Sequence, residues 1–298
     1  MAELYPKEAS VNQASIDRVT RTFKRAYIDI FNEIETATDW GIVNRQRILI
    51  QIEAILEKLG VDVYEFIGNE LPKYYERGAA DAVKQLHNVN ADVEVGEGFN
   101  SIHFEAIRML VDDTAKAFGE SLTGVARTAD LLLGKATRDM LTQQLAKGFI
   151  AGEALSNVKK MIKATLREQG FAALVDKGGH TWTLDRYAEM LFRTKAVEAR
   201  NRGMANRMVE NGYDLVQVTN TGTTHQECKV WEGKILSLTG KTPGYPTMTQ
   251  AEEAGLFHPN CQHAINVLSP SLAKQTRAYD PATGQYGAPG ESLTRVSE

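Results

Sequence analysis

Two short segments of the sequence bring thiols and imidazoles close together. THQECKVWEGK sets His225 three positions before Cys228, and GLFHPNCQHAINVL sets Cys261 two positions before His263, with His258 three positions upstream of Cys261. Cys228 and Cys261 are the only cysteines of the chain, and these three histidines are half of its six. Tetrahedral zinc sites are built from two such short pairs, because each pair folds a tight knuckle round one side of a borderline-soft ion. His225, Cys228, Cys261 and His263 fill that shell. His258 is a fifth candidate, able to replace one of the four or to hydrogen-bond just outside them. Two other readings stand beside a zinc site. Without metal the cysteines are small buried hydrophobes among hydrogen-bonded histidines, or the two form one disulfide.

Nucleophilic chemistry is less well supplied. A Cys–His pair could be drawn from Cys261 and either neighbouring imidazole, but no third group to orient it stands out. An HNH-type, metal-dependent nuclease needs paired acidic or imidazole residues on a hairpin and a further His on the following helix, and the sequence offers neither. It also holds no P-loop, G-x-G-x-x-G, H-E-x-x-H or G-x-S-x-G motif. The reading is a protein without catalytic residues.

The elements that must position these residues follow from periodicity. Ile16, Val19, Phe23, Ala26/Tyr27, Ile30 and Ile34 recur at the three-four spacing of an amphipathic helix. Gly41 separates it from a second, carrying Ile48, Ile52, Ile55/Leu56 and Leu59. The expectation is a stop at Gly60, a third helix capped by Asp62, and a kink or restart at Pro72. VEVGEGFN reads as a loop. A long helix begins near Ser101, with Ile107, Leu110/Val111, Thr114, Phe118, Leu122, Val125, Ala129 and Leu132 inward; shorter helices follow over 137–146 and 153–168. DKGGH, at 176–180, is a hinge-like break. Thr183 then caps a long helix whose stripe is Tyr187, Met190/Leu191, Thr194, Val197, Met204 and Met208, with Gly212 at its end. Its basic residues, Arg186, Arg193, Lys195, Arg200, Arg202 and Arg207, are either an interaction face or a solvated one paired locally with Glu189, Glu198 and Glu210.

The period then shortens. DLVQVTN alternates like a strand, KILSL (234–238) is its partner, and HAINVL is a third strand-like run. Thr249 and Glu252 fit a capping box for a short helix ending at Gly255. Trp231 and Phe257 flank the candidate ligands and are expected to wall them from water. The chain is therefore mostly α: an elongated helical domain over 1–175, then a long helix plus a small α+β module over 176–270 that a metal would stabilise. An extended, Pro/Gly/Ser/Thr-rich arm covers 271–298.

Composition bounds the function. Hydrophobic residues at 43% and charged ones at 24% are ordinary for a globular protein. A net charge of −4 argues against a broadly basic nucleic-acid surface, which weakens a zinc-module nucleic-acid binder. Two cysteines cannot frame a disulfide-stapled secreted fold. No apolar run approaches a membrane span, and MAELYPKEASVNQ lacks a signal-peptide pattern, so folding in the cytoplasm is expected.

GGHTWTLDRYAEMLFRTKAVEARNRGMANRMVENGYDLVQV, followed by HQECKVWEGKILSLTG and GLFHPNCQH, resembles the phage minor capsid, or head-morphogenesis, proteins related to the F protein of phage Mu. IRMLVDDTAKAF and LAKGFIAGEAL in the helical half extend the likeness over most of the chain, leaving out the tail after Pro270. Many members carry cysteine where this chain has His225, and C-x-C or C-x-H at Cys261 and His263, so the resemblance implies one paired site. It also implies a structural virion protein made in the bacterial host. Such a protein sits inside the head near packaged DNA and is associated with the portal or the major capsid protein. Its expected work is head assembly and DNA delivery. Some relatives are fused to toxin domains; no such addition is visible in this chain.

Overall fold

The computed structural model describes residues 9–36, 42–89, 98–147, 159–160, 163–164, 174–175, 181–268, 277–280 and 285–289. Helices dominate: α1 (Gln13–Glu35), α2 (Ile42–Val89), α3 (Ser101–Lys147) and α4 (Leu184–Glu210). The chain divides into two compact units, one of Gln13–Gly68 and Asp112–Phe192, the other of Met1–Asn12, Asn69–Val111 and Arg193–Glu298. The separator at Gly41, the break at 176–180 and most of the helix expected over 153–168 lie outside the described residues.

In the first unit the expected stripes are the buried ones. Ile16, Val19, Phe23, Ala26, Ile30 and Ile34 of α1 are buried, as are Ile48, Ile52, Leu56 and Leu59 of α2. Phe23 packs on Phe118 with ring centroids 5.6 Å apart, and Phe66 on Phe192 at 5.0 Å. The punctuation within α2 differs from expectation. Gly60 does not end it, Asp62 starts nothing, and Pro72 lies inside a helix that continues to Val89. A mid-helix glycine costs about 1 kcal/mol and a proline about 3. Val63, Ile67, Leu71 and Tyr75 are all buried beyond Gly60, each contributing roughly 1.5–3 kcal/mol, so burial outweighs both breakers. The stretch 137–146 is no separate helix but the last turns of α3.

In the second unit α4 is enclosed on several sides, with Ala196, Val197, Ala199, Met204 and Met208 buried. Its end is a Schellman motif: Gly212 has φ 76°, Tyr213 N–H donates to Met208 O and Gly212 N–H to Val209 O. Neither reading of its basic residues covers all of them. Arg202 and Lys195 pair with Glu198 as surface partners do, but Arg200 and Arg207 are buried. Arg200 reaches Asp81 at 2.9 Å, and Arg207 bonds Glu210 and the Gly98 carbonyl.

β3 (Leu215–Val218), β4 (Ile235–Ser237) and β5 (Ile265–Val267) form an antiparallel sheet ordered β4-β3-β5, from the three runs expected to be strands. Val216 lies opposite Leu236 on one side and Val267 on the other. These residues share a core with Met204, Met208, Cys228, Trp231 and Cys261. Two short helices complete this part, α5 (Gln226–Lys229) and α6 (Met248–Glu253). The capping box of α6 is built by Thr247 and Gln250, two residues before the expected pair. Two further antiparallel pairs are β1 (Leu174–Val175) with β2 (Thr181–Trp182), and β6 (Arg277–Asp280) with β7 (Gln285–Pro289). The second pair, with Tyr279 opposite Tyr286, falls in the segment expected to be an unpatterned arm.

Candidate metal centre

Each half of the Cys/His cluster is presented by a connection next to a strand of the small sheet, one after β3 and one before β5. After β3 the chain passes through Gly222, at φ 72°, into His225, the N-cap residue of α5; Cys228 follows inside that helix. The other half comes from the return to β5. Phe257 and Asn260 both hold positive φ, 61° and 64°, and Cys261 N–H donates to His258 O across the turn. Non-glycine residues at such angles mark a backbone that its surroundings over-determine. Asn201 of α4 fixes the segment beyond, donating to His263 O and accepting from Ile265 N–H.

All five expected residues converge. The ligand atoms of His225, Cys228 and His258 lie within 4.8 Å of one another, as do those of Cys228, Cys261 and His263, so Cys228 belongs to both groups. His258 Nε2 is 3.1 Å from Cys228 Sγ, and His263 Nδ1 is 3.0 Å from Cys261 Sγ. The His225 and His258 rings stack with centroids 3.9 Å apart. Cys228, Cys261 and His263 are buried, His258 is half-buried and His225 exposed. Both cysteines are free thiols.

The protonation pattern suits a cation. His258 Nδ1 lies 2.8 Å from Pro259 O, an acceptor only, so Nδ1 carries the proton and Nε2 offers its lone pair toward Cys228. Burial lowers the His258 pKa, which keeps the ring neutral. Burial also pushes the Cys261 thiol up to about 11, and a divalent ion would supply the charge that stabilises its thiolate. A cavity of about 370 Å³, lined in part by Val197, Glu198, Glu252 and Phe257, reaches His258 and Cys261 and provides an entry path. Trp231 is buried in the same core as the two cysteines, and Phe257 packs against that core.

One member of the constellation is missing from the sequence reading. Glu232, four residues past Cys228, sets Oε1 3.1 Å from His263 Nε2. Burial raises its pKa, but hydrogen bonds from Thr221, Thr223 and His263 outweigh this and hold it down at about 2. The only advance signal was a carboxylate inside a Cys/His-rich segment, since its partner lies 31 positions away.

A family model described as phage minor capsid protein 2 matches residues 43–283, a span that contains all five Cys/His residues. No curated protein and no solved structure matches the chain.

Proposed function

On the premise that this chain belongs to the phage minor capsid protein family, as its match over residues 43–283 establishes, we propose that it works inside the head at the portal or inner shell. The family makes it a structural virion protein with capsid partners. Among the described residues no helix is long and apolar enough to cross a membrane. The finer reading is ours: the helical region over 1–175 docks on the portal or the major capsid protein and contributes to head assembly and DNA delivery.

Within this reading the Cys/His cluster is a structural zinc centre held by residues drawn from His225, Cys228, Cys261, His263 and His258. Two thiols and neutral imidazoles are the donor set that a tetrahedral zinc site takes. The three-stranded sheet and two short helices share their core with α2 and α4, and a metal clasp would add about 10 kcal/mol of binding energy coupled to folding. The family match carries the virion reading, and the convergence of five rare side chains carries the metal reading.

Purified particles test the first: the chain should co-purify with portal and major capsid protein and be lost from heads when its gene is deleted. Elemental analysis tests the second, with one zinc per chain expected and no stoichiometric metal refuting it. DNA cleavage abolished by chelation would favour a nuclease instead, and steeply salt-dependent DNA binding a nucleic-acid module.

A further inference from the structure

We infer that Glu232 is the positioning residue of the metal centre, fixing the tautomer of His263 and anchoring the loop that carries the other half of the site. The inference rests on the metal reading above and adds to it a residue and a role.

A carboxylate accepts hydrogen bonds and donates none, so the contact between Glu232 Oε1 and His263 Nε2 places the ring proton on Nε2. Nδ1 is then the free lone pair, and it is the atom facing Cys261 Sγ at 3.0 Å. Without a cation the thiol donates to Nδ1. When a metal displaces that proton, the same sulfur and the same nitrogen point at the ion with no ring flip. Carboxylate–histidine–metal relays orient ligands in this way, and their loss typically weakens metal binding 10–100-fold.

The carboxylate is itself held. Oε1 accepts from Thr221 N–H at 2.7 Å, Thr221 Oγ1 at 2.9 Å, Gly222 N–H at 2.8 Å and Thr223 N–H at 3.2 Å. Three consecutive N–H groups turned to one oxygen form an anion-binding nest, which Gly222 permits by adopting φ 72°. The nest continues directly into the other pair. His225 N–H donates to Thr223 Oγ1 at 3.2 Å, and Cys228 Sγ lies 4.0 Å from the same hydroxyl. Glu232 thus touches the C-x-H half through an imidazole and the loop leading into the H-x-x-C half through three backbone amides.

Glu232→Ala and Glu232→Gln together separate the acceptor oxygen from its charge. In Glu232→Gln the amide oxygen still accepts from the nest and from His263 Nε2–H, and only the charge is lost; Glu232→Ala removes the oxygen itself. Cobalt(II) is the probe, since thiolate-to-cobalt absorption reports coordination directly. The expected result is cobalt(II) affinity lowered 10–100-fold in Glu232→Ala and largely restored in Glu232→Gln, whose metal-free thermal midpoint stays close to wild type. Nitrogen-resolved NMR of the metal-free wild type should show His263 protonated at Nε2. Wild-type cobalt(II) binding with unchanged affinity in Glu232→Ala would overturn this inference and leave the metal reading intact. Absence of any thiolate–cobalt band in the wild type would overturn both. A wild-type His263 protonated at Nδ1 would overturn the inference without recourse to any variant.

Discussion

Gly78 of α2 and Gly203 of α4 occupy reciprocal positions where the two helices touch backbone to backbone. A Cβ on Gly78 would lie 1.9 Å from the Arg200 carbonyl oxygen, and one on Gly203 would lie 2.0 Å from that of Tyr75. Neither oxygen can swing aside as a side chain end can, so the helices themselves would have to part. Gly78→Ala and Gly203→Ala should each cost about 3 kcal/mol or more in chemical denaturation, at the upper end of overpacking penalties. Gly68→Ala and Gly119→Ala, where an added methyl meets nothing within 4 Å, should instead gain up to about 1 kcal/mol. Equal behaviour of the two sets would refute this crossing.

The same unit holds a buried polar chain whose members satisfy one another. His103 Nδ1 accepts from Tyr75 Oη at 2.8 Å and its Nε2–H donates to Glu210 Oε2 at 3.1 Å, while Phe99 stacks on its ring at 4.7 Å. Tyr75 Oη also accepts from Asn206. Asn100 caps α3 through Ile102 N–H and donates to Glu210, joining the cap to the chain. His103→Ala should cost about 2–4 kcal/mol, from a cavity and from orphaned partners. Asn100→Ala should cost about 1. A thermal midpoint unchanged in His103→Ala would show that the chain contributes nothing to stability.

What the sequence made legible was whatever depends on local pattern or on rare residue types. The stripe from Ile16 to Ile34 is buried because amphipathic spacing leaves it no other solution. The five Cys/His residues were recognisable as one group because two cysteines and three histidines seldom pair at such spacings by chance. Punctuation was less legible. Gly60 and Pro72 are breakers of known cost, but whether they break depends on how much apolar surface the continuing helix buries. Gly203 and Arg200 were opaque for a related reason, since close approach and burial belong to the neighbour across the interface. Glu232 was missed because its nest and its imidazole partner meet it only in the folded chain.

Asp214 gives the small sheet a pH dependence. Burial raises its pKa, but bonds from the Ser237, Thr239 and Thr242 groups outweigh this and hold it below the usual carboxylate range. Ser237 Oγ and Thr239 Oγ1 donate at 2.6 Å, and Thr239 N–H at 2.7 Å. A depressed folded-state pKa means that the contribution is fully present above the unfolded value of about 4 and is lost as pH falls through the folded value. Asp214→Asn should therefore destabilise by about 2–3 kcal/mol at neutral pH. The gap from wild type should narrow in acid below about pH 4. Denaturation curves at several pH values check this, and a gap that stays constant into acid would contradict it.

Cys228 is common to both ligand groups, whereas His225 and His258 stack on each other beside it. One sulfur therefore has no substitute, while either imidazole has a neighbour able to take its place. Cys228→Ser should weaken zinc binding more than any other single substitution at the five positions. His225→Ala and His258→Ala should each have a modest effect, and the double variant should lose about as much as Cys228→Ser, more than the sum of the singles. Competitive titration with a chromophoric chelator measures all four proteins on one scale. If His225→Ala alone removes the metal, His258 is not a reserve ligand and its contact with Cys228 is only a hydrogen bond. If His258→Ala alone does so, the exposed His225 lies outside the coordination shell.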